Sequence, residues 1–311
     1  MTHHTSVLLN ELVNAFHGVH LKIFVDATLG AGGHSKAFLE AHPEIEVLIG
    51  IDQDPVAREI AKERLFPWEN KVKIVSGNFS EIRHHLCQLG VRAVDGIIFD
   101  LGVSSMQFDF AEKGFSFMRE GPLDMRMDPS RSLTASEIVN TWSESDLGRI
   151  FRDYGEEKRW RMAARAIVAA RNMKKIETTV ELADILRQAI PFHLQKKGIH
   201  PATLVFQALR ICVNRELEVL EAALPEAVDL LRVGGRLGVI SFHSLEDRIV
   251  KNFMRFSASD KMNTEGIGGM FLDKDPMISL LSRKPIVPTD DEMRGNPRSR
   301  SAKLRVVEKR G

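Results

Sequence analysis

Four short apolar runs recur between residues 22 and 100, at 22–27, 47–52, 72–75 and 96–100, with helix-compatible stretches between them. Strands that carry little polar alternation need cover on both faces, and strands that alternate with helices pair in parallel. The rhythm therefore predicts an α/β fold built on a parallel sheet. Helices are expected at 35–41, from Pro55 to about 65 with Asp54 as N-cap, and from Ser80 to about 89. Three runs close on or beside an acid: Asp26, Asp52 and Asp100. In an open parallel sheet, ligands bind outside those strand ends.

The rhythm breaks at 108–202. A loop rich in Gly, Asp and Met at 114–132 reads as a lid or substrate wall, and helical segments follow at 134–140, 144–154, 157–171 and 179–189. Alternation resumes with helical sequence at 203–231, which Pro225 is expected to divide and Gly234-Gly235 to stop. A strand at 236–242, a helix at 245–256 and an irregular stretch at 257–276 come next. Extended segments at 278–286 and 302–307 suit an edge hairpin. The expected domains are 1–107 with 203–311 for the sheet, and 108–202 as an inserted helical domain that recognises substrate.

Composition narrows the class. A net charge of +1 over 311 residues gives no whole-protein field for nucleic acid, so any polyanion surface is local. No apolar run reaches the ~18 residues of a membrane span, and the first residues lack the pattern of a signal peptide. Cys87 and Cys212 lie far apart, and neither they nor the histidines show metal-ligand spacing. Buried, reduced thiols in a cytoplasmic protein are expected.

The segment Phe24-Val25-Asp26-Ala27-Thr28-Leu29-Gly30-Ala31-Gly32-Gly33-His34-Ser35 runs from a strand through a glycine-rich turn into a helix. Glycines there let a ligand approach backbone N–H groups closely. A dinucleotide fingerprint needs a third glycine where Ser35 stands. S-adenosylmethionine has no pyrophosphate and does not need it. The sequence offers one group for each of its parts. The Gly32-Gly33-His34 backbone lies where the methionine carboxylate or sugar would pass. Asp52 is placed to accept the ribose hydroxyls. Phe79, beside Asn78, is placed to cover adenine, and Asp100 to face the sulfonium.

Longer blocks then match one family. They include His4-Thr5-Ser6-Val7-Leu8-Leu9-Asn10-Glu11, Asp100-Leu101-Gly102-Val103-Ser104-Ser105 and Gly121-Pro122-Leu123-Asp124-Met125-Arg126-Met127-Asp128. Tyr154-Gly155-Glu156-Glu157, His200-Pro201-Ala202-Thr203, Ser241-Phe242-His243-Ser244-Leu245-Glu246-Asp247-Arg248 and Asn296-Pro297-Arg298-Ser299-Arg300-Ser301 continue in order. The chain resembles the bacterial 16S ribosomal RNA cytosine N4-methyltransferase family, RsmH or MraW, across nearly its whole length. One departure is Leu204-Val205, where a basic and then a small polar residue are expected. The resemblance implies a Rossmann-like class I methyltransferase sheet with an inserted helical domain, and S-adenosylmethionine as cofactor. It implies one decoding-site cytosine of small-subunit rRNA as substrate, presented by the assembled subunit. The family's cofactor contacts fall on Gly32, Gly33, His34, Asp52, Phe79, Asp100 and Gln107. A homodimer stays open.

Methyl transfer is an in-line displacement in which the enzyme mainly aligns the reactants. The cytosine N4 lone pair is delocalised into the ring, so an acceptor beside its hydrogens is needed. Many amino-methyltransferases place Asp/Asn-Pro-Pro-aromatic after the fourth strand for this purpose. Here that place reads Asp100-Leu101-Gly102-Val103, so Asp100 or a carbonyl in 101–103 is the expected acceptor. His243, after the fifth strand, is a second catalytic candidate, and it is equally suited to capping the next helix. Basic residues at 148–175 and a basic C-terminal segment from Arg294 to Arg310 are candidate RNA contacts. Two rival functions are an NAD-dependent oxidoreductase and a non-catalytic ribosome-assembly factor.

Overall fold

Neighbouring residues of the apolar runs enter two different cores. Val25, Ile49, Ile97 and Val239 pack in one, and Phe24, Leu48, Ile98 and Ile240 in the other. Strict alternation between two dry faces is why these strands read as continuous hydrophobic runs. The structure, a computed structural model, describes residues 6–102, 111–191, 200–263 and 271–311. It divides into two units, Met1–Gly102 with Leu217–Gly311, and Val103–Glu216.

In the first unit the strands are β1 (Ile23–Asp26), β2 (Val47–Asp52), β3 (Val72–Ser76), β4 (Val94–Asp100), β5 (Leu231–Ser241), β6 (Lys261–Asn263), β7 (Phe271–Asp273), β8 (Ile278–Leu280) and β9 (Lys303–Lys309). Among the described residues, seven of them form one sheet in the order β3-β2-β1-β4-β5-β9-β8. β1 to β5 pair in parallel, and β9 runs antiparallel between β5 and β8. Strand order reverses between β1 and β4, which puts the ligand crevice at their C-terminal ends. This order, with one reversed strand inside the far edge, is the Rossmann-like methyltransferase arrangement.

The first core is closed by α4 (Ile82–Gln88), α10 (Glu216–Leu230) and α11 (Ser244–Ser257); the other by α1 (Leu9–Asn14), α2 (Gly33–Ala41) and α3 (Pro55–Arg64). A short α12 (Asp290–Gly295) precedes β9. Phe16, Phe24 and Phe38 anchor the second core, with ring centroids 4.2 to 5.8 Å apart. Such ring pairs add about 0.5–1.5 kcal/mol each beyond their burial.

The second unit holds α5 (Ala135–Thr141), α6 (Glu144–Asp153), α7 (Trp160–Met173), α8 (Thr179–Ala189) and α9 (Thr203–Asn214). Thr134, Ser143 and Thr178 cap α5, α6 and α8 through side chains that accept from the N3 backbone. Asn214 is 3% exposed and ties the preceding loop to α9. Its amide donates to the Met125 carbonyl at 2.8 Å, and its oxygen accepts from the Met127 N–H at 2.9 Å. The segment at 114–132 is therefore packed in place. Phe115, Leu123, Met125 and Met127 lie in this unit's core, and Arg126 grips Asp124 through two bonds of 2.8 and 2.7 Å.

Several expectations are corrected. The second unit runs through Glu216, and Val205, Phe206 and Leu209 of α9 fill its core. The buried Val205 also accounts for an apolar residue at the departure noted above. The break in 203–231 falls at Arg215, whose φ of 53° ends α9, whereas Pro225 sits inside α10. Gly234-Gly235 lies within an irregular start to β5. Asn78, not Ser80, opens the helical stretch to Gln88, its side chain accepting from Ser80 N–H. The stretch at 257–276 contains the antiparallel pair β6–β7. Only β8 of the expected hairpin is an edge strand, since β9 is flanked on both sides. The basic C-terminal segment includes that internal strand. Cys87 is exposed and Cys212 half-buried. Among the described residues, no helix is long and apolar enough to cross a membrane.

Candidate active site

The loop after β1 is stitched to both neighbouring strands. Ala27 N–H donates to Ile98 O and Leu29 N–H to Ile51 O, each at 3.0 Å. Gly30 N–H donates to Asp52 Oδ2 at 2.8 Å, and Thr28 Oγ1 accepts from the Asp100 N–H at 2.6 Å. The ends of β1, β2 and β4 are thus held as one surface. Asp26 secures the loop from beneath: it is 1% exposed, accepts from Ser35 Oγ at 2.7 Å and takes the Thr28 N–H at 3.2 Å. Burial pushes its carboxyl up to about 6, against the pull of His34 and these hydrogen bonds.

Gly32 adopts φ +75° as N-cap of α2, a conformation that costs other residues strain. At Gly33 a Cβ would stand 2.2 Å from Ser6 Oγ. The bare backbone here is required by packing against the N-terminal segment as well as by any ligand. Asp52 is half-buried, with Oδ2 on Gly30 and Oδ1 on the Asp54 N–H at 2.8 Å. Burial raises its pKa despite these bonds. Each oxygen keeps a lone pair for a further donor. Asn78 Nδ2 donates to Gln53 Oε1 at 3.1 Å, linking the ends of β2 and β3. Phe79 sits beside them, edge-on to Phe99 at 5.3 Å.

At the end of β4, Asp100 faces His34. The imidazole is 5% exposed, and its Nε2 lies 3.0 Å from the Val7 carbonyl. A carbonyl only accepts, so Nε2 carries a proton and Nδ1 is left toward Asp100 Oδ2, 3.4 Å away. Burial lowers the His34 pKa, so the ring rests neutral. Burial, helped by the charge of Glu246, raises Asp100 to about 7. Its Oδ1 is sealed from solvent and has no hydrogen-bond partner among the described residues. An orphaned buried acceptor is costly and marks a place made for a donor or a cation.

His243 is the N-cap of α11. Its Nδ1 accepts from Glu246 N–H at 3.4 Å, and Glu246 Oε2 takes the N–H groups of Phe242 and His243 at 2.8 and 3.3 Å. The capping alternative is the one seen. Glu246 and Thr28 are the residues that sequence reasoning missed. The His243-x-x-Glu246 spacing of a capping box was the available signal for the first; no local pattern marks the second.

Of the residues singled out in the sequence, Gly32, Gly33, His34, Asp52, Phe79 and Asp100 stand at or just after the C-terminal ends of β1 to β4. Gln107 lies outside the described residues. On the helical unit, four of the nine cations of the basic stretch are in ion pairs. Arg149 pairs with Asp146, Arg152 with Asp153, Arg165 with Glu144 and Lys174 with Glu181. Arg161 stacks over Trp160 at 4.0 Å.

The chain is 59% identical over 307 residues to the ribosomal RNA small subunit methyltransferase H of Protochlamydia amoebophila, covering 98% of this chain and 97% of that protein. It is 45% identical to the protein of the same name from Clostridioides difficile, covering 99% of each. Among solved structures, an rRNA methylase from Streptococcus thermophilus aligns over 97% of this chain and 95% of its own, at 10% identity and a TM-score of 0.44. The MraW methylase family model matches residues 1–310, and the chain belongs to that family.

Proposed function

We propose that this chain transfers a methyl group from S-adenosylmethionine to N4 of one cytosine in the decoding region of small-subunit rRNA. The observation that carries the reading is the buried, unpartnered Oδ1 of Asp100 at the strand switch point. The residues present fit the cofactor. Gly32 and Gly33 supply bare backbone, Asp52 offers free lone pairs to a ribose diol, and Asn78, Gln53 and Phe79 form a polar-and-aromatic edge for adenine. When bound, the cofactor supplies an electrophilic methyl on a positive sulfonium.

Asp100 accepts a hydrogen bond from the N4 amine. That contact returns electron density to a nitrogen whose lone pair is conjugated, and it stabilises the positive charge that grows as the nitrogen attacks. A carboxyl titrating at about 7 is matched to taking the departing N4 proton near neutral pH. The bare Nδ1 of neutral His34, 3.4 Å away, is an acceptor and can take a hydrogen bond only from the protonated carboxyl. His243 and Glu246 fix the turn after β5, and the Glu246 charge keeps Asp100 basic. The target base reaches this crevice only when unpaired or flipped. In the same reading the helical unit contacts RNA, and the assembled subunit is the substrate.

Tritium transfer from labelled cofactor to small subunits lacking the modification, followed by nucleoside identification, tests the proposal. Label in N4-methylated cytidine from particles is expected. Label in another nucleoside, or none while the cofactor binds, refutes it.

A further inference from the structure

The far side of α11 carries a basic recess distinct from the strand-end crevice. It has a volume of about 240 Å³, below the ~300–1,000 Å³ of small-molecule pockets. Lys251, Arg255, Ser282 and Arg283 wall it, over a floor of Met254, Leu280 and Val306. Lys251 and Arg255 are four apart and share one face of the helix. Among the described residues, none of Lys251, Arg255 and Arg283 makes an ion pair or side-chain hydrogen bond.

Charges on the packed elements do not cancel these cations. Asp247, the acid nearest on α11, is held below the usual carboxylate range: burial alone would raise it, but hydrogen bonds from Arg305 at 2.7 Å and Lys303 at 3.0 Å prevail. One carboxylate thus meets two cations, and a positive surplus remains. Glu308 of β9 is taken by Arg236 at 2.9 Å. Among the described residues, no carboxylate lines the recess. Phe256, next to Arg255, is 53% exposed, and Lys274 lies over its ring at 3.6 Å. Uncompensated cations clustered in one recess are the pattern that holds phosphates.

We propose that this recess holds phosphates of the substrate RNA, outside the base-binding crevice. The inference rests on the rRNA reading above. With a rise of about 1.5 Å per residue, Lys251 and Arg255 lie roughly 10 and 16 Å along α11 from its start beside Glu246. One strand entering the crevice spans that distance. The recess supplies affinity without sequence information, as phosphate contacts do.

The test compares the full chain with the triple variant Lys251→Gln, Arg255→Gln, Arg283→Gln, and with the charge-keeping variant Lys251→Arg, Arg255→Lys, Arg283→Lys. Binding to unmodified small-subunit rRNA and to small subunits is measured against salt, with cofactor affinity alongside. For three contacts at about 0.7 each, the slope of log K on log salt becomes shallower by about 2, an affinity loss of about fifty-fold near 150 mM salt. KM for subunits rises while kcat and cofactor affinity hold, and the charge-keeping variant restores the slope. An unchanged slope in the Gln variant overturns the recess while leaving the enzyme's function intact. So does wild-type binding to phosphatidylglycerol vesicles that the variant loses with RNA binding unchanged. A wild type that binds cofactor but no rRNA overturns the rRNA reading and the recess with it.

Discussion

Asp100→Asn isolates the central electrostatic claim. The carboxyl of Asp100 is lifted from its ordinary 3.8 to about 7 by burial and by Glu246. Below pH 7 it is mostly neutral and offers little to a cation. If the ionised form is the one that meets a sulfonium, it is about one-tenth populated at pH 6 and about nine-tenths at pH 8. The demethylated product is a neutral thioether and gains nothing from that charge. The ratio of cofactor affinity to product affinity is therefore expected to rise about tenfold, or about 1.4 kcal/mol, from pH 6 to pH 8. The amino and carboxyl groups common to both ligands cancel in the ratio. Calorimetry in buffers of different ionisation enthalpy reads the same event as about 0.9 proton released per cofactor bound at pH 6. In Asp100→Asn the ratio is flat and cofactor affinity at pH 8 falls to the wild type's acid level. A wild-type ratio that does not change with pH, or a variant that keeps the slope, refutes the reasoning. The same shift sets stability. Because the folded pKa is raised, the contribution of Asp100 is full below about pH 4 and is lost as pH rises through 7. That loss is on the order of 4 kcal/mol at most.

Asp52→Ala removes the acceptor for the ribose and the anchor of Gly30, so cofactor affinity measured by calorimetry is expected to fall ten- to a hundred-fold, about 1.5–3 kcal/mol; unaltered affinity removes Asp52 from the site. Gly33→Ala drives a methyl against Ser6 Oγ and lowers stability by about 1–3 kcal/mol in thermal melts, with Ser6→Gly restoring much of it; additivity of the two changes would rule out that contact. Asn214→Ala strands the buried Met125 carbonyl and Met127 N–H and destabilises by about 2–3 kcal/mol in denaturant titration. Loss under 0.5 kcal/mol would show that the loop does not depend on it.

The sheet was legible because burial on two faces writes itself into local composition. β2 and α8 occupy the expected residues, and Asp54 and Thr134 cap the helices they precede. What local reading missed was set by distant packing. Arg215 adopts a left-handed turn that ends α9 although no glycine or proline marks it, while Pro225 is tolerated inside α10. β6 and β7 are three residues each and too short to show a period. At the site, the glycines and the acids at strand ends stood out as types in order. Their protonation did not, because it depends on burial and on Glu246, 146 positions from Asp100 in sequence. At 148–175 a count of charges could not show which carboxylates fold back, and four of the nine cations there are paired.

The N-terminal segment gives this chain an unexpected mechanical linkage. Leu8 is pinned by its N–H to Glu292 Oε1 at 2.8 Å, and the adjoining Val7 carbonyl fixes the tautomer of His34. Glu292 belongs to α12, a short helix with no buried residue. Loosening that one clasp would let the Val7 carbonyl drift and free the imidazole to swap its proton between nitrogens. A surface change near residue 292 can thus move the proton that His34 turns toward Asp100 without altering any group in the crevice.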